Sequence, residues 1–143
     1  MPKPLRIMLS VLLGIVVGSC VNMGLILLGS QLIPPPAGAD VSTMEGLAAA
    51  LPLFEPRHFL FPFLAHALGT LAAAFVAARL AGASAIGSAF AVGAFFLLGG
   101  AANALMLPGP LWFSALDLLA YLPMAWLGLR LAGGTSATPK PST

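Results

Sequence analysis

Four long apolar stretches, separated by short polar segments, dominate the pattern of hydrophobic and polar positions along the chain. They cover residues 5–33, 58–80, 84–107 and 111–131. Each is close to or above the roughly 20 mostly apolar residues that an α-helix needs to cross a bilayer. The pattern therefore predicts an all-α integral membrane protein, a four-transmembrane-helix bundle that forms one domain over residues 1–133.

The segment between the first two stretches, residues 34–57, is predicted to be an outer loop. Three consecutive prolines at 34–36 end the first helix, because proline lacks the backbone donor that a helix uses. The Ser-Thr-Met-Glu sequence at 42–45 has the form of a capping box, in which a hydroxyl and a carboxylate satisfy the free N–H groups at a helix start. We expect a short interfacial helix over about 43–51, lying on the outer surface.

Composition supports a membrane protein. Hydrophobic residues make up 59% of the chain and charged residues 7%, and the mean hydropathy is +1.02. A soluble domain has about a quarter charged residues, so this chain is expected to use the lipid bilayer as its solvent. The polar tail at 134–143, rich in Thr, Ser and Pro, is predicted to be disordered and cytoplasmic.

The basic residues predict an orientation, because cytoplasmic loops are enriched in lysine and arginine. Under a four-span topology five of the six basic residues lie on one side, and Arg57 alone lies on the other. Those five are Lys3, Arg6, Arg79, Arg130 and Lys140. The expected location is the inner (plasma) membrane, with several passes and both termini in the cytoplasm. The basic residues form no patch, so nucleic-acid binding is not expected.

The N-terminus allows a second interpretation. Lys3 and Arg6 precede an apolar run that reaches Cys20, an arrangement that resembles a bacterial lipoprotein signal with an acylated cysteine. The apolar run continues to Ile33, however, and the apolar part of a signal peptide is only about 7–15 residues long. An uncleaved first span is therefore favoured over a cleaved signal. A single cysteine also excludes an internal disulfide and a multi-cysteine metal site.

A weak internal repeat is present. Residues 79–82, with the sequence Arg-Leu-Ala-Gly, recur at 130–133, which is 51 positions later. The same offset carries His66 onto Asp117. Two duplicated helical hairpins in parallel orientation would produce this pattern, as in some transporters. Chance similarity in a chain rich in alanine and leucine is the alternative.

Polar residues inside the spans form a candidate binding cluster. Asp117 lies about six positions inside the fourth span, roughly 9 Å deep at 1.5 Å per residue, and His66 lies at a comparable depth of roughly 12 Å in the second span. A charged side chain at such depth is costly and is usually functional, so this pair is the leading candidate for binding a solute or a proton. The full predicted set is His66, Asp117, Tyr121, Asn22, Asn103 and Thr70. For the two asparagines, interhelical hydrogen bonding without a functional role is the alternative.

A second group of polar residues lies where the outer loop meets the second span. Glu55, Arg57 and His58 are candidates for an outer vestibule, and simple anchoring of the helix at the interface is the alternative. His58 and His66 are eight positions apart, so they stand roughly 12 Å apart on one helix and cannot share a metal ion. No metal site and no cofactor are expected.

Three functional hypotheses follow. The first is a small transporter or channel for a small solute or ion, working as a homo-oligomer. The second is an accessory or assembly subunit of a larger membrane complex, with no transport of its own. The third is an outward-facing membrane enzyme, although no recognised catalytic motif is present and no catalytic residue is assigned.

Overall fold

All the regular secondary structure in the described part of the chain is helical. The computed structural model describes residues 1–107 and 109–133, so the tail predicted at 134–143 lies outside the described residues. The α-helices, in chain order, are α1 (Lys3–Leu32), α2 (Met44–Ala50), α3 (Leu60–Ala81), α4 (Ala85–Met106) and α5 (Leu111–Leu131). Short 3₁₀ turns cover Leu51–Leu53, Pro56–Phe59 and Gly82–Ser84. The predicted all-α class is confirmed for these residues.

Three helical segments are long and apolar enough to cross a membrane, which indicates a membrane protein. They are Lys3–Leu32, Pro56–Met106 and Leu111–Leu131. The middle segment has 51 residues and contains both α3 and α4, which the 3₁₀ turn Gly82–Ser84 separates. Since α3 and α4 also pack against each other, this segment folds back on itself.

The tightest helix pair is α1 with α3, and small residues bring the two backbones together. Ser10, Gly14 and Gly18 are the buried positions in the first two-thirds of α1. A Cβ added at Gly14 would lie 2.6 Å from the carbonyl oxygen of Ala73, and one added at Gly18 would lie 2.6 Å from that of Gly69. Close approach of this kind maximises van der Waals contact, which replaces the hydrophobic driving force when the solvent is lipid.

The same principle operates where α3 meets α4 and α5. The buried cluster between these helices consists mostly of alanines: Ala74, Ala78, Ala85, Ala89 and Ala125, with Leu129. α3 thus lies at the centre, in contact with α1, α4 and α5. This arrangement determines the site, because a polar residue on α3 can meet residues of every other long helix.

Aromatic and basic side chains hold the two ends of the bundle. At the loop end, Phe59 packs against the rings of Trp112 and Phe113, with centroid distances of 5.6 and 4.8 Å. At the opposite end, Arg6 Nε donates a hydrogen bond of 2.7 Å to the carbonyl oxygen of Leu80. A basic group at a helix C-terminus satisfies free carbonyls and opposes the negative end of the helix dipole.

The start of α2 differs by one residue from the expected capping box. The N-cap is Thr43, whose hydroxyl oxygen accepts a 3.0 Å hydrogen bond from the backbone N–H of Gly46. Ser42 instead turns back to Asp40: its hydroxyl and its backbone N–H both donate to Asp40 Oδ1, at 2.6 and 2.9 Å. These two bonds hold the pKa of the Asp40 carboxyl below its usual value.

Candidate functional site

His66 and Asp117 are in direct contact. His66 lies on α3, and its Nδ1 is 2.9 Å from both carboxylate oxygens of Asp117 on α5. The two side chains differ in exposure, with 21% of His66 and 7% of Asp117 accessible. The imidazole therefore stands between the carboxylate and the nearest open space.

Tyr121 completes the surroundings of the carboxylate. It follows Asp117 by one helical turn, and its hydroxyl donates to Asp117 Oδ2 at 3.4 Å. Its ring also stacks on the His66 ring, with 5.9 Å between centroids and 26° between planes. Gly100 on α4 makes room for this ring, since a Cβ there would lie 2.5 Å from the tyrosine hydroxyl oxygen. Sequence reasoning missed Gly100, and only knowledge of how α4 is rotated could have revealed it.

Thr70 is close to the pair but its hydroxyl is already engaged. It is fully buried and donates a 2.7 Å hydrogen bond to the backbone carbonyl of His66, one turn earlier on α3. Serine and threonine in membrane helices commonly bond back to the preceding turn in this way. Thr70 does not line the open space beside His66.

That open space, which we call the His66 cavity, has a volume of about 150 Å³ and receives residues from four helices. Its polar lining comes from four residues of the predicted set, one on each long helix: Asn22, His66, Asn103 and Tyr121. Its remaining walls are Phe95, Phe96, Gly99 and Gly100, all on α4. Asp117 lies behind His66 and Tyr121 and does not line the cavity.

The geometry defines what the pair can do chemically. An ionised carboxylate only accepts hydrogen bonds, so with Asp117 ionised the hydrogen that the pair shares is on Nδ1 of His66. Nε2 is then the ring nitrogen left for the cavity, as an acceptor when the ring is neutral. With Asp117 ionised, the pair carries no net charge when His66 is protonated and one negative charge when it is neutral. A single proton therefore changes the charge beside the cavity by one unit.

The residues predicted as an outer vestibule do not line the His66 cavity. Glu55 and Arg57 form an ion pair of 3.0 Å, and both side chains are well exposed. Pairs of this kind contribute little to stability. His58 is buried instead, and it borders a separate cavity near the end of α1.

The structure also shows the surroundings of Cys20 and of the residues that could bind a metal ion. Cys20 is exposed on α1, and the helix continues through it to Leu32. Among the described residues, no group of three or more His, Cys, Asp or Glu side chains lies close enough to hold a metal ion.

No family model matches the chain, and neither curated proteins nor solved structures gave a match.

Proposed function

We propose that this chain is a small transport protein that crosses the inner membrane four times, with both termini in the cytoplasm. A single straight helix of 51 residues would extend about 77 Å at 1.5 Å per residue, far beyond the roughly 30 Å of a bilayer core. Counting α3 and α4 as separate spans gives four, with α1 and α5. The five-to-one distribution of basic residues supports a cytoplasmic location for Lys3 and Arg130.

The observation that carries the transport proposal is the His66 cavity itself. Polar side chains inside a membrane are costly, and here Asn22, His66, Asn103 and Tyr121 come from four different helices to line one space. The Asn103 side chain is exposed and Asn22 is partly exposed, so both amides are open to this space. A shared wet cavity accounts for all four.

The size of the cavity limits what it can hold. About 150 Å³ corresponds to roughly five water molecules at ~30 Å³ each. Pockets for drug-sized ligands have about 300–1,000 Å³, so this space suits an ion or a very small solute. We propose that a proton or small cation occupies the site. Protonation of His66 removes the local negative charge, so proton binding and cation binding compete.

A second copy of the chain, or another membrane protein, is proposed to cover α4. Gly87, Ala91 and Ala94 share one exposed face of this helix, and nothing lies within 4 Å of the space where a Gly87 side chain would be. Small residues at such spacing allow close helix–helix contact. This face also favours the second candidate function, an accessory subunit of a larger membrane complex. A stoichiometric partner that co-purifies in mild detergent would support the accessory function.

Flux through purified protein in proteoliposomes tests the transport proposal. We expect proton or monovalent-cation flux down an imposed gradient, and its loss in His66→Ala and in Asp117→Asn. Ser88→Ala is a matched control, because Ser88 is a buried polar residue, paired with Ser10 at 3.4 Å, that does not line the cavity. Flux of the same size in all variants, or none in the wild type with any imposed gradient, contradicts the proposal.

Labelling of single cysteines tests the topology. In a Cys20→Ser background, Ser42→Cys should react with a membrane-impermeant maleimide added outside intact cells. Ala83→Cys, in the exposed turn between α3 and α4, should react only after the membrane is permeabilised. Outside labelling of Ala83→Cys would rule out four spans with cytoplasmic ends.

A further inference from the structure

A second cavity lies between the end of α1, the loop that follows it and the start of α3. It has a volume of about 230 Å³. Its walls are almost entirely apolar, formed by Ile26, Gly29, Ser30, Ile33, Pro35, Val41, Leu47, Phe54, His58, Phe61 and Pro62. We call it the His58 cavity. It shares no lining residue with the His66 cavity.

His58 is the one ionisable residue in these walls, and its hydrogen bonds determine which ring nitrogen carries hydrogen. The side chain is buried, with 9% of the residue exposed, and its Nδ1 accepts a 2.9 Å hydrogen bond from the backbone N–H of Glu55. A neutral imidazole has one donor nitrogen and one acceptor nitrogen, so the hydrogen is on Nε2. Nδ1 also lies 3.3 Å from the Glu55 carbonyl oxygen, and Nε2, which has no protein acceptor among the described residues, is not fully buried.

An apolar cavity with a single donor selects a particular kind of ligand. The walls offer few other polar partners, so a water molecule at His58 would make few hydrogen bonds there. The Nε2 donor is accessible, since among the described residues no fully buried side-chain nitrogen or oxygen lacks a partner, so a ligand oxygen can reach it and accept its hydrogen bond. The volume equals roughly eight water molecules at ~30 Å³ each, below the usual range for a drug-sized ligand. The space therefore suits a short length of hydrocarbon chain and one acceptor oxygen.

We propose that the His58 cavity binds an acyl chain, with His58 Nε2 donating to the carbonyl or carboxylate oxygen at the head of the chain. The ester of a membrane phospholipid and a free fatty acid share this chemistry. The cavity follows the last turns of α1 and the residue after it, 26–33, over roughly 10 Å and includes the first turn of α3. In the proposed topology this is the outer edge of the bilayer, where ester groups and acyl chains meet. The inference uses that membrane placement and does not depend on transport.

Native mass spectrometry of the full chain, released from lipid nanodiscs, tests the proposal. Wild-type protein is compared in nanodiscs of diester phosphatidylcholine and of diether phosphatidylcholine with the same chain length, because the diether lipid lacks the carbonyl acceptor. We expect about fivefold greater retention of the diester lipid, the ratio that a hydrogen bond of about 1 kcal/mol produces. His58→Phe should abolish that preference, since it keeps the aromatic contact with Phe54 but removes the donor.

A second experiment distinguishes a phospholipid from a free fatty acid as the ligand. A second pair of variants controls for the possibility that His58→Phe fails to fold. Dodecanoate is added to the protein in detergent; binding of dodecanoate that needs His58, without a diester preference, identifies a fatty-acid site. Leu47→Trp on α2 fills the cavity while leaving His58 in the sequence, and it should abolish retention. Ala49→Trp, on the exposed side of the same helix, is its matched control and should retain lipid. Retention that depends on neither the carbonyl nor His58, or that survives Leu47→Trp, overturns the proposal.

Discussion

Removing His66 leaves the buried Asp117 carboxylate without its nearest hydrogen-bond donor. Removing Asp117 as well should restore part of the lost stability. His66→Leu takes away a donor that lies 2.9 Å from both oxygens of Asp117. The remaining partner is the Tyr121 hydroxyl at 3.4 Å, which is a long hydrogen bond. The double variant His66→Leu with Asp117→Leu replaces both partners by apolar groups. We therefore expect the double variant to be more stable than His66→Leu alone.

The magnitude follows from burial and from the type of bond. A hydrogen bond to a charged group contributes about 1.5–3 kcal/mol, and breaking a fully buried ion pair costs about 3–5 kcal/mol. Because 21% of the His66 side chain is exposed to the cavity, water replaces part of the lost interaction. We expect His66→Leu to lower the free energy of unfolding by about 2 kcal/mol. Replacing both partners by apolar groups is close to neutral, so Asp117→Leu should recover about 1 kcal/mol of that loss.

The assay is unfolding of the purified protein in mixed micelles of increasing dodecyl sulfate content, followed by circular dichroism. His58→Leu combined with Asp117→Leu is the control pair, since His58 belongs to the other cavity. Effects at such separate sites should add to within about 0.5 kcal/mol. A double variant that is no more stable than His66→Leu would falsify the argument that the stranded carboxylate is the source of the loss.

Three further predictions test the packing, the helix end and the loop. Gly100→Ala should lower the free energy of unfolding by about 1–3 kcal/mol, because its Cβ would lie 2.5 Å from the Tyr121 hydroxyl oxygen. Gly99→Ala is the control: no described atom lies within 4 Å of its Cβ, so it should be neutral or slightly stabilising in the same unfolding assay. Arg6→Gln should cost about 1 kcal/mol through the lost bond at the α3 C-terminus, and no change in unfolding would contradict that role. The stabilisation from Asp40 should be present above the unfolded pKa of 3.8 and be lost as pH falls through the lower pKa of the folded protein. Ser42→Ala should raise the Asp40 pKa of the folded protein, which an NMR titration measures.

The parts of the fold that followed from sequence are those that depend on length and on small residues. A run of about 20 apolar residues has few stable alternatives to a helix, because in lipid every backbone group must be satisfied internally. Gly14 and Gly18, four residues apart on α1, are buried against α3, and small residues at this spacing permit such close contact. The four-span count and the orientation remain predictions, since length and composition do not establish them.

The rotation of each helix about its axis was not readable from the sequence. The long helices are apolar on all sides, so no strong polar face indicates which side meets a neighbour. Hence the sequence grouped Asn22 and Asn103 with His66 in one candidate cluster but could not indicate that Thr70 and Asp117 lie away from the cavity. The separation of His58 from that cavity depends on the turn Pro56–Phe59, whose geometry the apolar pattern does not encode. The internal repeat, which relates His66 to Asp117, stays a prediction.

His58 and His66 lie eight positions apart on the chain, and each borders a different cavity. Their ring nitrogens have opposite hydrogen-bonding roles. At His58 the Nδ1 atom accepts a hydrogen bond from Glu55, which leaves Nε2 as a donor. At His66 the Nδ1 atom faces the carboxylate of Asp117, which leaves Nε2 of the neutral ring as an acceptor. A donor beside an apolar cavity suits an acyl carbonyl, while an acceptor beside a polar cavity suits a proton or a cation. Nitrogen-15 NMR distinguishes the tautomers directly, and at a pH where both rings are neutral the protonated nitrogen should be Nε2 in His58 and Nδ1 in His66. The same tautomer in both residues would remove the chemical basis for assigning them different ligands.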